Sequence, residues 1–153
     1  MPNCYSGLAI LVLVILPSLS QGQKTFSPAK EALKLFNSYK PSIEKHNNAI
    51  VDDPVVIEGD INGDNQSDCI ISFIMTSKSG GNAYVGHECA IYLNTGTGMK
   101  VVGAFPKFYF CYSLEQIKDQ VIYGREYECQ PPYNKILRQR RFIYEQGRIN
   151  IIP

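Results

Sequence analysis

Four oxygen-bearing side chains, Asp60, Asn62, Asp64 and Asp68, stand at alternate positions, with one gap, in the stretch "GDINGDNQSD" (residues 59–68). Apolar Val55-Val56-Ile57 and Ile70-Ile71 flank it. A hard cation such as Ca²⁺ takes about six to eight oxygens, and a loop supplies them when alternate side chains turn inward and a backbone carbonyl fills a gap. Counting Asp60 as position 1 places Asn62 at 3, Asp64 at 5, the Gln66 carbonyl at 7 and Asp68 at 9. The helix-loop-helix calcium hand is excluded: its twelfth position needs a bidentate glutamate where Ile71 stands, and the flanks read as strands. Turn propensity explains Asn62 and Gly63 without a metal. It does not explain Asp60, Asp64 and Asp68 together, because crowded carboxylates repel unless a cation neutralises them. The loop can be turn and cage at once, with the turn placing the acids.

The stretch "GDINGDNQSDCIISF" resembles the calcium loop of FG-GAP and VCBS-type repeats, an Asp-x-Asn/Asp-x-Asp-x-x-x-Asp pattern between two strands. The resemblance covers residues 59–73. It implies a Ca²⁺ ligand role for Asp60, Asn62, Asp64 and Asp68, with Gln66 lending its carbonyl. Asn65 stands where those repeats often have glycine, and asparagine tolerates the left-handed backbone. One copy is present, so the resemblance implies the loop and not a propeller. The region from "GGNAYVGHECAIYLNTGTGMKVVGAF" through "GRINII" is similar, more loosely, to a family of exported, mostly uncharacterised bacterial proteins, which implies an envelope setting and says nothing of an activity.

Four cysteines follow the first twenty-two residues: Cys69, Cys89, Cys111 and Cys129. An even set without close Cys pairs points to disulfides rather than zinc in an oxidising compartment. Of the three connectivities, strand parity selects one. Folding residues 68–76 and 83–93 about Ser79 sets Cys69 opposite Cys89, Phe73 opposite Val85 and Met75 opposite Ala83. The expected bridges are therefore Cys69 to Cys89 and Cys111 to Cys129.

Other chemistry-bearing residues read more plainly. His46 and His87 lack metal spacing, and His87 shares the parity of Cys89 and Ile91, as a core histidine with one satisfied nitrogen would. A Cys-His nucleophile would need a free thiol, and the even cysteine set argues against one. Arg138, Arg140 and Arg141, with Tyr144 nearby, form the basic cluster. It is either an interface of the Arg-aromatic kind or a solvated strand face balanced by Glu126 and Glu128. Pro131-Pro132-Tyr133 reads as a rigid loop after Cys129 rather than a polyproline ligand.

These groups are positioned by one helix and then strands. Ser27-Pro28 opens a helix with Ala29, Ala32, Leu33 and Phe36 on one face, expected to stop before Pro41, with room for a short separate turn of helix from Ser42 to Asn48. "HNN" and Asp52-Asp53-Pro54 mark a loop, and about five to seven strands follow. Pro106 suggests a bulge or edge within a strand from Met99 to Tyr112. The fold expected is α+β, a helix followed by an antiparallel β-meander.

The apolar run Gly7–Leu16, closed by Pro17 and small residues, reads as a secretory signal, giving residues 1–22 as signal peptide and 23–153 as one domain. It falls short of the roughly 20 residues of a spanning helix, so no membrane span is expected in the mature form. All 15 Lys+Arg and 14 Asp+Glu lie beyond it, and this near-neutral balance excludes a field that would draw nucleic acid. Taken together, the sequence predicts an exported, periplasmic or extracellular, disulfide-stapled and Ca²⁺-stabilised binding protein without enzymatic activity. Its partner would be an unidentified protein or envelope component. Two alternatives stand beside it: an inhibitor or immunity-type protein that plugs a hydrolase, and a calcium-dependent hydrolase, for which no paired base or nucleophile is in reach.

Overall fold

A computed structural model describes residues 26–81, 83–129 and 135–153. The expected signal peptide and the Pro131-Pro132-Tyr133 loop lie outside the described residues. The chain forms one helix, α1 (Pro28–Asn47), and eight strands in two antiparallel four-stranded sheets. Sheet A runs β1 (Ala49–Gly59), β2 (Asp68–Ser77), β3 (Tyr84–Asn94), β4 (Met99–Ala104); sheet B runs β5 (Cys111–Lys118), β6 (Val121–Tyr127), β7 (Ile136–Glu145), β8 (Arg148–Ile152). The α+β class and the helix-then-strands order are as expected, with one strand more than the expected range and two sheets in place of one. Both sheets keep sequence order, so every connection within a sheet is a hairpin.

Sheet A is the middle of three layers. Cys69, Ile71, Phe73 and Met75 of β2 point to one side and pack with Ala32 and Phe36 of α1, as the alternation predicts. Ile70 of β2 and Cys89 and Ile91 of β3 point to the other side, against Ile122, Phe142 and Ile149 of sheet B. Burial on both faces explains why β2 reads Cys-Ile-Ile-Ser-Phe-Ile-Met with hardly a polar residue.

Three local expectations are corrected. Helix α1 does not end before Pro41 but continues through it to Asn47, where Asn48 in the left-handed conformation caps it. The carbonyl that Pro41 leaves unbonded belongs to Asn37; both residues are exposed, so water can satisfy it, and Ile43 anchors the last turns to the core. Asp52-Asp53-Pro54 is not a loop but a bulge within β1, with Asp53 at φ 46° and the Asp52 carboxylate accepting from Thr76 Oγ1 at 2.7 Å. Pro106 lies in neither a bulge nor an edge, but in the segment between β4 and β5 that carries the chain from sheet A to sheet B.

The cysteine pairing is half corrected. Cys111 and Cys129 are bonded, with Cα atoms 5.3 Å apart, whereas Cys69 and Cys89 are free and buried. Cys69 faces Tyr92, three residues from the expected partner, and Cys89 faces Ser72. The hairpin turns about Gly80 rather than Ser79, since Thr76 pairs with Tyr84, and a one-residue bulge follows at Val85, between Tyr84 and Gly86. An odd register shift flips every side chain to the other face. Cys69 therefore lies in the helix-side core and Cys89 in the core between the sheets. Among the described residues no helix is long and apolar enough to cross a membrane.

Burial pushes the Cys69 thiol up to about 12 and the Cys89 thiol up to about 11, so neither is a ready thiolate. A thiol titration of residues 23–153 should find two thiols, silent in the native protein and reactive after denaturation; a count of zero would restore the Cys69–Cys89 bridge. Replacing Cys111 and Cys129 together by serine should cost about 3 kcal/mol in chemical denaturation, the chain-entropy value for a loop of this size.

Candidate metal site

The acidic loop joins β1 to β2, and the backbone there curls around its own carboxylates. Gly63 and Asn65 both take positive φ, 82° and 62°, which turns successive N–H groups toward Asp60. One Asp60 oxygen accepts from the N–H groups of Asn62 (3.2 Å) and Gly63 (2.7 Å), and the other from Asn65 (2.9 Å). Asp64 accepts from the Gln66 N–H at 2.8 Å and from the side-chain amides of Asn62 (3.1 Å) and Gln66 (3.4 Å). Asn62 Oδ1 accepts from the Asp64 N–H at 3.0 Å.

Asp68 differs from the other two because it is fully buried. Its oxygens accept from the Ile61 N–H at 3.1 Å and the Asn94 N–H at 2.8 Å. One carboxylate thus ties the start of β2 to the loop before it and to the end of β3. Neighbouring turns close over the loop: the Gln120 side chain comes within 3.0 Å of where a Gly63 Cβ would stand, and the Gln66 side chain within 3.3 Å of the same point at Gly96.

Carboxylate oxygens of Asp60, Asp64 and Asp68 converge within 4.8 Å of one another, a group able to hold a metal ion. Of the five residues predicted from spacing, the fold gathers these three as an oxygen cluster. Asn62 and Gln66 join it through hydrogen bonds to Asp64. Electrostatics within the cluster are uneven. Burial pushes the Asp60 carboxyl up, but the hydrogen bonds from Asn65, Gly63, Asn62 and Asp64 together outweigh it and hold the group below the usual range. Burial also pushes Asp68 up; the N–H groups of Asn94 and Ile61 oppose this, while the charges of Asp64 and Asp60 add to it. A cation among the three would offset that repulsion. The spacing alone did not reveal that Asn94, at the end of β3 and 26 residues downstream of Asp68, supplies it with a backbone donor.

The remaining candidates separate cleanly. His87 shares a hydrogen bond of 2.6 Å with Ser72 Oγ, sits edge-on to Tyr112 and lies 3.9 Å from Cys89 Sγ, the satisfied histidine that its parity predicted. Glu126, buried in sheet B, receives both Arg140 and Arg138, the latter at 3.2 Å. Arg140 also lies over the Phe110 ring at 4.3 Å, a contact no sequence pattern signalled. Tyr144 packs partly buried against the core between the sheets.

Burial holds the His87 imidazole below its ordinary value of 6.5. Its neutral form is therefore favoured in the fold, the unfolded chain binds more protons below pH 6.5, and stability should fall as the pH drops through that region. Denaturant titrations at pH 7.5 and 5.5 should show a smaller acid loss for His87→Gln than for the parent protein. Asp68→Asn keeps the shape of the side chain but turns one acceptor into a donor facing an N–H. Measured with chelator present, it should cost about 1–3 kcal/mol, the penalty of one unsatisfied buried group; no loss would show that the buried carboxylate holds nothing. Comparison of the chain with protein-family models, with curated proteins and with solved structures gave no match.

Proposed function

We propose that this chain is a small exported binding protein without enzymatic activity, stapled by a disulfide and stabilised by one structural Ca²⁺ in the acidic loop. The observation that carries the reading is the convergence of three carboxylates within 4.8 Å, one of them fully buried. The ligands are Asp60, Asn62, Asp64 and Asp68 with the Gln66 carbonyl. The likeness of this loop to FG-GAP and VCBS-type repeats supports calcium over other ions, and an all-oxygen donor set of several carboxylates with an amide and a carbonyl suits Ca²⁺ better than Mg²⁺, which keeps most of its waters. The apolar run Gly7–Leu16 supports export to the periplasm or outside the cell.

A binding role rather than catalysis is supported by the chemistry of the buried groups. The Cys89 thiol beside His87 is kept protonated by burial, and the carboxylates of the loop are occupied in holding backbone N–H groups. Affinity for calcium should be of the weak extracellular sort, on the order of 10⁻⁴ to 10⁻³ M.

Thermal melts decide the matter. Calcium at about ten times its Kd should stabilise by about 1.4 kcal/mol and raise the Tm by about 5 °C. Magnesium should do less, chelator should reverse the gain, and Asp64→Ala should abolish it. A Tm indifferent to calcium, chelator and Asp64→Ala would reduce the loop to a plain turn.

A further inference from the structure

The ladder between β3 and β4 stops short of the start of β3. Its last pair is Ala90 with Ala104, after which the Phe105 N–H bonds the Cys89 carbonyl at 2.8 Å. Pro106 follows with no N–H to give, and the chain leaves for sheet B. Backbone polar groups alternate sides along a strand, so the N–H and C=O of His87 point the same way as those of Cys89, into the lane that β4 has left. Among the described residues, no strand pairs with His87 on that side. At its other end the lane is closed by the Val85 bulge, which breaks the alternation. What stays open is the width of a single residue.

A cavity of about 510 Å³ lies against this residue, lined by His87 and Glu88 of β3 and by Phe105, Lys107, Phe108 and Phe110 of the connecting segment. Its volume is within the roughly 300–1,000 Å³ of small-molecule sites. The apolar wall lies on the face of sheet A from which the His87 side chain projects. Phe108 and Phe110 stack there with centroids 5.0 Å apart, and Tyr112 sits edge-on to the His87 ring at 5.1 Å. Glu88 and Lys107 bring opposite charges to the cavity, and among the described residues neither makes an ion pair.

We propose that this cavity binds a free L-amino acid with an aromatic or large apolar side chain, held opposite His87 as one residue of an added strand. The ligand carboxylate accepts from the His87 N–H and its ammonium donates to the His87 carbonyl, the reciprocal bonds that two facing residues of a ladder exchange. Facing residues share a side of the sheet, so the side chain of an L-amino acid turns to the aromatic wall. Lys107 and Glu88 answer the two charges of the zwitterion. A longer peptide is the poorer occupant, since its neighbouring residues would meet the bulge at one end and Phe105 at the other. This inference rests on the binding-protein reading and names its ligand.

The test is an NMR titration of the isotope-labelled whole protein with L-phenylalanine. The His87 amide should shift saturably, with Kd on the order of 10⁻⁵ to 10⁻⁴ M. D-phenylalanine, phenylpropionate without the ammonium and phenethylamine without the carboxylate should each bind at least about tenfold more weakly. Lys107→Ala should weaken L-phenylalanine about threefold and leave phenethylamine unchanged; Glu88→Gln should weaken it similarly and leave phenylpropionate unchanged. No shift at about 10 mM, equal binding of the two enantiomers, or losses in the variants that ignore which charge the ligand carries would each overturn the site. Failure here is distinguishable from failure of the calcium reading, because the thermal response to calcium is read in the same Lys107→Ala protein without amino acid.

Discussion

The carboxylate of Asp68 is the contact on which the site and much of sheet A depend. A buried charge is tolerated where hydrogen bonds replace its water, and here the replacements come from two separate parts of the chain, Ile61 and Asn94. The loop between β1 and β2 and the end of β3 are thereby fixed to one side chain at the start of β2. The oxygens of Asp60 and Asp64 can converge on Asp68 because the backbone that carries them is already held. The arrangement accumulates negative charge in one loop, and the same rigidity that imposes this cost would give a cation a ready-made seat.

The opposite sign of charge is handled in the same way in sheet B. Glu126 is buried among arginines, and its ion pairs with Arg138 and Arg140 span neighbouring strands. Buried pairs contribute little net stability against an apolar alternative but are costly to break, so their effect is to hold the guanidiniums in one place. Each sheet thus carries one buried acid that organises polar groups at its margin, and the apolar layers between α1, sheet A and sheet B supply the bulk of the burial.

What could be read from the sequence was what alternation and local turn chemistry encode. The inward set Cys69, Ile71, Phe73 and Met75, the helix start at Ser27-Pro28 and the gathering of Asp60, Asp64 and Asp68 all follow from short-range spacing, whereas the Cys111–Cys129 bridge was expected only as the remainder of a Cys69–Cys89 pairing that the register overturns. The misreadings are places where one residue changes long-range geometry. Pro41 lies inside a helix because the bond it forfeits is on the solvent side. Asp53 takes a left-handed conformation and so absorbs Pro54 into a strand. The Val85 bulge moves β3 by one further step and thereby separates two cysteines that looked like partners. Contacts such as Asn94 to Asp68 and Arg140 over Phe110 join residues whose separation in the chain carries no periodic signal.

The Val85 bulge also fixes what the two free thiols can do to each other. Were Val85 taken into the ladder opposite Met75, β3 would slip by one residue and Cys89 would share a face with Cys69, diagonal to it across the hairpin. With the bulge in place one thiol lies in the helix-side core and the other in the core between the sheets, so the thickness of sheet A stands between the sulfurs. One inserted residue thus keeps two cysteines of adjacent strands chemically separate.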